Sequence, residues 1–70
     1  MQSASVIVAV EPAGLEDLLE CLARIRVPID PHIQHGDKTV VEFEAPRPEL
    51  SYIQRVLRMA GYRSTSKSAA

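Results

Sequence analysis

The sequence predicts an α+β domain in which two helices cover one face of an antiparallel sheet. Three observations predict it: an early β-branched apolar run, two segments with helical leucine spacing, and two alternating segments around a polar turn. The 70 residues suffice for one domain, and a chain of this length buries only about 60% of its unfolded surface. Association with another copy or a partner would therefore add stability.

The first strand and the first helix follow directly from the apolar pattern. Residues 5–10 are largely β-branched and apolar, which predicts a strand buried largely on both faces. Residues 12–26 predict a helix, and Pro28 ends it because the residue before a proline avoids helical geometry. The predicted core stripe of this helix consists of Leu15, Leu18, Leu19, Leu22 and Ile25.

A hairpin is predicted next, from residues 29–34 and 39–45. Pro31 is typical of a strand at a sheet edge. A two-residue loop would turn the glutamates of the second strand toward the core, where an unpaired carboxylate is costly. A three-residue loop over residues 36–38, with a glycine bulge, avoids this cost. The pairs that this register predicts are Ile33 with Val41 and His32 with Glu42.

The second helix is predicted to begin at Pro48 and to end near Ala60, with Gly61 as its stop. Residues 62–66 could add a short fourth strand. We therefore predict one domain over residues 5–66 and a disordered tail over residues 67–70. The predicted core stripe of the second helix consists of Leu50, Ile53, Leu57 and Ala60, and Phe43 joins the core from the hairpin.

The resulting order is βαββα with a possible last strand, which is the ferredoxin-like sandwich. A net charge of −1 argues against a nucleic-acid surface, because phosphate binding usually needs a basic excess. Cys21 is the only cysteine, which fits a reducing compartment, so we expect a cytoplasmic protein. The longest apolar run, residues 6–10, is too short to cross a membrane and does not make a signal peptide.

The pattern resembles the ACT domain family of small regulatory modules that often bind amino acids. The residues that carry the resemblance are the apolar strand 7–10, the turn Pro12-Ala13-Gly14-Leu15 and the segment Val27-Pro28-Ile29. The resemblance implies a non-catalytic regulatory or binding module. It also implies a homodimer, or a regulatory subunit that docks on a larger partner enzyme.

A ligand site is implied by the same resemblance, at Glu11, Ala13, Gly14 and Leu15. Backbone N–H groups of this turn would receive the carboxylate of an amino-acid-like ligand, and Glu11 would meet its ammonium group. The alternative is that Pro12 and Gly14 only shape the start of a helix.

A second candidate surface lies on the sheet. If Val6, Val8 and Val10 point toward the helices, then Ile7 and Ala9 point away from them, beside Val40. An apolar stripe on a helix-free face indicates association. The alternative function is thus a protein–protein interaction module without a small ligand, which uses Ile7, Ala9 and Val40.

Metal binding is a further alternative, and catalysis is not expected. Cys21, His32 and His35 are the soft metal ligands of the chain, but they form no CxxC motif. A chaperone-like metal-binding domain would have to work without that motif, so we predict no metal and no cofactor. Cys21 is expected to fill space beside the core. We find no nucleophile–base spacing, and we therefore predict no catalytic residues.

Overall fold

The chain forms four strands and two α-helices over residues 3–68, which are the residues that the computed structural model describes. A single 3₁₀ turn precedes each helix, at Pro12–Gly14 and at Arg47–Glu49. The elements are β1 (Ser3–Val10), α1 (Leu15–Ala23), β2 (His32–Gln34), β3 (Thr39–Pro46), α2 (Leu50–Met59) and β4 (Ser64–Ser68).

The four strands form one antiparallel sheet in the order β2-β3-β1-β4. The most apolar strand, β1, thus lies between two neighbours, while the short β2 and the polar β4 form the edges. This α+β arrangement is compatible with a ferredoxin-like layout, as predicted. No helix in the described part of the chain is long and apolar enough to cross a membrane.

Both helices pack on the same face of the sheet. Alternate residues of β1 and β3 are buried there, and they form one cluster with the buried side chains of α1 and α2. Burying these side chains removes apolar surface from water, which is the main force that holds the domain together. The fully buried side chains are Phe43, Leu18, Ile53, Leu57, Val6, Val8 and Val41.

The opposite face of β1 corrects one prediction. We expected β1 to be buried largely on both faces, but Ile7 is only partly buried and Ala9 is exposed. The reason is that α1 and α2 occupy one side of the sheet only. An apolar strand in the middle of this sheet therefore keeps one side in contact with water.

The first helix is shorter than predicted at both ends, and it begins at Leu15 rather than at residue 12 because residues 12–14 form the 3₁₀ turn. It ends at Ala23 rather than at residue 26, and the N–H of Arg24 bonds to the carbonyls of both Glu20 and Cys21 at 3.2 Å. This shared bond tightens the last turn. Ile25 then turns into the core, where it is 6% exposed. Ile25, predicted on the core stripe of the helix, is therefore buried from the turn that follows the helix.

The hairpin keeps the predicted register but has a shorter first strand. His32 pairs with Glu42 and Ile33 with Val41, as predicted. The strand begins at His32 rather than at residue 29, because Pro31 lacks the N–H group that a ladder needs. The predicted glycine bulge is wrong, since Gly61 is the glycine with a positive φ angle in the described residues.

The second helix begins at Leu50 rather than at Pro48, which lies in the preceding 3₁₀ turn, and it ends at Met59. Gly61 follows as the predicted stop, with a φ angle of 92°. The N–H of Gly61 donates to the carbonyl of Arg58 at 3.0 Å, and the N–H of Tyr62 donates to that of Leu57 at 2.8 Å. These two bonds define a Schellman motif. Ala60, predicted in the core stripe, is exposed because it caps the helix instead of continuing it.

The fourth strand is present, at Ser64–Ser68 instead of residues 62–66. Lys67 and Ser68 were predicted to belong to a disordered tail, yet they pair with Ser5 and Ala4 of β1. The pairing needs backbone N–H and C=O groups and no apolar side chains, so composition does not reveal it. The rest of the predicted tail, residues 69–70, lies outside the described residues.

Candidate functional site

The helix-free side of the sheet, hereafter the free face, is the broadest candidate surface. Its apolar centre consists of Ile7, Ala9 and Val40, the three predicted interaction residues. Ala9 pairs directly with Val40, while Ile7 lies two residues along β1 on the same face. Ile7 and Val40 are partly exposed and Ala9 is exposed. The structure therefore brings the predicted residues together on a surface that solvent reaches.

Rows of paired residues cross the free face from strand to strand, because directly opposite residues of antiparallel strands share a face. One row runs from Glu44 on β3 through Ser5 on β1 to Lys67 on β4. Glu44 and Lys67 are both exposed. Negative charge therefore lies on one side of β1 and positive charge on the other. The neighbouring row consists of His32, Glu42, Ile7 and Thr65.

An acidic depression of about 350 Å³ adjoins the β2 edge of this face. His32 Nε2 lies 4.0 Å from Asp30 Oδ2, and both side chains are largely exposed. Solvent screens such a pair, so its contribution to stability is small. No group of three or more potential metal ligands occurs in the described residues. The residues that line the depression are Ser5, Pro28, Asp30, His32, Glu42, Phe43 and Glu44.

The turn over residues 11–15, which was predicted to bind a ligand, does not leave all of its N–H groups available to that ligand. The N–H of Gly14 donates to the carbonyl of Glu11 at 2.8 Å, and that of Leu15 donates to the carbonyl of Pro12. Two N–H groups that were expected to receive a carboxylate thus already have acceptors within the turn. Gly14 also packs closely, since a Cβ added to it would lie 3.3 Å from Val10 Cγ2.

Glu11 lies instead on an open depression of about 340 Å³ together with the hairpin loop. The pairing of Val10 with Thr39 brings that loop next to the turn. The lining includes Lys38 as well as Glu11, but not Ala13, Gly14 or Leu15. The register between β1 and β3 thus places Lys38, the residue before Thr39, beside the end of β1. The lining residues are Ala9, Val10, Glu11, Pro12, Asp37 and Lys38.

A groove between α1 and α2 was not predicted. Met59 is 81% exposed there, and Cys21 is partly buried and packs against the core as the expected apolar filler. The groove holds about 410 Å³. Sequence reasoning missed it because Ala60 was assigned to the core. The lining residues are Asp17, Glu20, Cys21, Arg24, Val56, Met59 and Ala60.

Tyr62 lies near this groove, after the end of α2. Burial raises the pKa of the Tyr62 hydroxyl above its usual value of 10.0, and the electrostatic influence of Asp17 and then of Cys21 raises it further. Each of these influences disfavours the phenolate form. Tyr62 is partly buried against the core, and its raised pKa keeps its hydroxyl neutral near pH 7.

Three surfaces are therefore candidates for function: the free face, the depression beside Glu11 and the groove between the helices. The rows of the free face span all four strands, whereas each of the other two surfaces is a local depression. No protein-family model matches the chain, and no curated protein matches it.

Proposed function

We propose that this protein is a non-catalytic, ferredoxin-like binding module that associates with another protein through its free face. The observation that carries the proposal is the apolar centre of that face, Ile7, Ala9 and Val40, on a sheet side that neither helix covers. Covering such a centre removes apolar surface from water. The resemblance to ACT domains supports a regulatory consequence of this association.

The face is a better contact surface than either edge of the sheet. The edge strand β2 has three residues and follows Pro31. The other edge strand, β4, carries Lys67 among small polar residues. Short strands, prolines and lysines at sheet edges oppose strand addition. Association through the face needs none of these edge groups to be paired.

A photocrosslinking amino acid at position 9 tests this proposal. Ala9 is exposed at the centre of the free face, so the probe is expected to crosslink to a bound protein in cells. The same probe at Met59, which is exposed on the helix side, is the matched control. The protein captured by the crosslink is then identified, and its affinity for this chain is measured with purified components.

Ile7→Lys should weaken that affinity about tenfold or more, because it places an unpaired charge in the contact. Equal crosslinking from positions 9 and 59, or an affinity that Ile7→Lys leaves unchanged, would contradict use of the free face. Circular dichroism of Ile7→Lys shows whether the fold is retained.

A second function, binding of an amino-acid-like ligand, is supported by the depression beside Glu11. Glu11 and Lys38 line the same cavity. A carboxylate suits the ammonium group of such a ligand, and an ammonium group suits its carboxylate. The side chains, rather than the N–H groups of Gly14 and Leu15, would then hold the ligand.

Thermal unfolding in the presence of free amino acids tests this second function. A ligand at ten times its Kd stabilises the native state by about 1.4 kcal/mol, which raises Tm by about 5–10 °C in a domain of this size. Glu11→Gln and Lys38→Met should each abolish the rise. Glu16→Gln, an exposed change outside the depression, should preserve it. If no amino acid raises Tm at millimolar concentration, this function is wrong.

A further inference from the structure

We infer that the free face binds a second copy of this chain, stacked face to face about a two-fold axis that runs along β1. This inference rests on the proposed function and names its partner. It follows from the positions of opposite charges across the rows of the sheet. Glu44 of one copy meets the partner subunit's Lys67, and the same contact forms a second time in reverse, as a self-complementary interface requires.

A rotation about this axis leaves each row at the same position along the strand direction. It reverses the order of the strands across the sheet. β1 then lies over β1 of the second copy, and β3 lies over β4. In the row that contains Ser5, Glu44 faces the partner subunit's Lys67. By symmetry, Lys67 faces the partner subunit's Glu44, so one contact forms twice.

The centre of this arrangement is apolar. Ile7 lies over the partner subunit's Ile7, and Ala9 lies over the partner subunit's Ala9. In the row of Ile7, Glu42 faces the partner subunit's Thr65, whose hydroxyl group can donate a hydrogen bond to the carboxylate. The apolar seam along β1 is therefore flanked by polar contacts on both sides.

Within one copy, Glu44 and Lys67 form no ion pair in the described residues. Glu44 and Lys67 lie on opposite sides of Ser5, which places their backbones about 10 Å apart, two strand spacings. Stacked sheets are also separated by about 10 Å, a gap that a glutamate and a lysine can bridge from both sides. A two-fold axis perpendicular to the strands would instead place β3 over β3 of the second copy. Glu42 and Glu44 of one copy would then lie opposite the same acidic residues of the other, so like charges would face each other.

The available area indicates a weak dimer. Three strands overlap in this arrangement, two of eight residues and one of five, so the contact covers at most about 14 by 26 Å per copy at usual spacings. That area is below the roughly 800 Å² per partner of a stable complex. Dimerisation should therefore depend on concentration, with a Kd in the range of about 10 µM to 1 mM.

Charge reversal and mixing test the inference by sedimentation equilibrium up to about 1 mM protein. The wild-type mass should rise from 7.7 kDa toward twice that value. Glu44→Lys and Lys67→Glu should each weaken association about tenfold or more, because like charges then face each other twice. An equimolar mixture of the two variants should associate again, since each supplies the charges that the other lacks.

Positions 44 and 67 are both exposed, so the two charge reversals should leave the fold intact. Circular dichroism of each variant verifies this. Met59→Lys adds a charge on the helix side and should leave the mass of the dimer unchanged. A mixture that stays monomeric, or a loss of the dimer in Met59→Lys, would overturn the proposed arrangement.

A wild-type chain that stays monomeric at about 1 mM would also overturn the inference. If the probe at position 9 still crosslinks to a different protein and Ile7→Lys weakens that complex, the proposed function stands without self-association. If the probe at position 9 crosslinks to nothing beyond what position 59 captures, both proposals are wrong.

Discussion

Phe43→Ala is expected to reduce the free energy of unfolding by about 3–5 kcal/mol. Phe43 is 1% exposed and lies on β3 beneath the two helices, where it belongs to the main core cluster. The substitution removes most of a buried ring and leaves a cavity that the sheet cannot close. A domain of this length has a total stability of roughly 4–10 kcal/mol, so the variant should be largely unfolded or close to it.

Urea denaturation monitored by circular dichroism measures this loss. Phe43→Leu keeps more of the side-chain volume and should be clearly less damaging. Tyr52→Ala, at a position that is 38% exposed on α2, provides a surface control and should change stability by about 1 kcal/mol or less. A small effect for Phe43→Ala would mean that the two helices do not close over this face of the sheet.

Gly61→Ala is expected to cost about 1–2 kcal/mol for a different reason. Gly61 has a φ angle of 92°, which strains any residue that carries a Cβ atom. No atom of residues 3–68 lies within 4 Å of a Cβ added there, so backbone conformation rather than crowding causes the loss. The Schellman motif that ends α2 depends on this conformation.

Gly36→Ala is the matched control for this substitution. Gly36 is not at a positive φ angle, and an added Cβ would meet its nearest neighbour, the carbonyl oxygen of Lys38, at an ordinary 3.9 Å. This variant should be neutral or slightly stabilising, since alanine restricts the unfolded chain more than glycine does. Equal losses in the two variants would show that the end of α2 does not need the left-handed conformation.

The register of the hairpin could be predicted from the sequence because one physical cost separates the alternatives. A shift by one residue would have turned Glu42 and Glu44 toward the core, and the observed pairs place them on the opposite face. The helical faces were predictable for a similar reason, since Leu18, Leu22 and Ile53 follow the helical repeat and are buried. Patterns of burial therefore specify the elements that form the core.

Element ends were harder to predict because no strong signal marks them. Pro28 lies five residues beyond the last residue of α1, so it limits the helix without ending it. Ile25 lies beyond the end of the helix and is nevertheless buried in the core. At the other end, the polar strand β4 pairs through its backbone alone, and its side chains reveal little about that role.

For the candidate site as well, the face on which a residue lies could be predicted, whereas its neighbours on other strands could not. Alternation along β1 predicted that Ile7 and Ala9 lie on one face. The charge pattern of that face could not be predicted, because it depends on the pairing of Ser5 with Lys67, which requires the fourth strand. Nor could spacing alone place Lys38 beside Glu11, since the two belong to different turns.

The strand order has a consequence for biosynthesis on the ribosome. β1 pairs with β3 and β4, whereas β2 pairs with β3, so no strand pair can form until residues 39–46 have emerged. Until then a nascent chain presents an apolar strand without a hydrogen-bonded neighbour, and such segments promote aggregation. The strand pairs of this sheet therefore form only once both the first and the second half of the described chain have been synthesised.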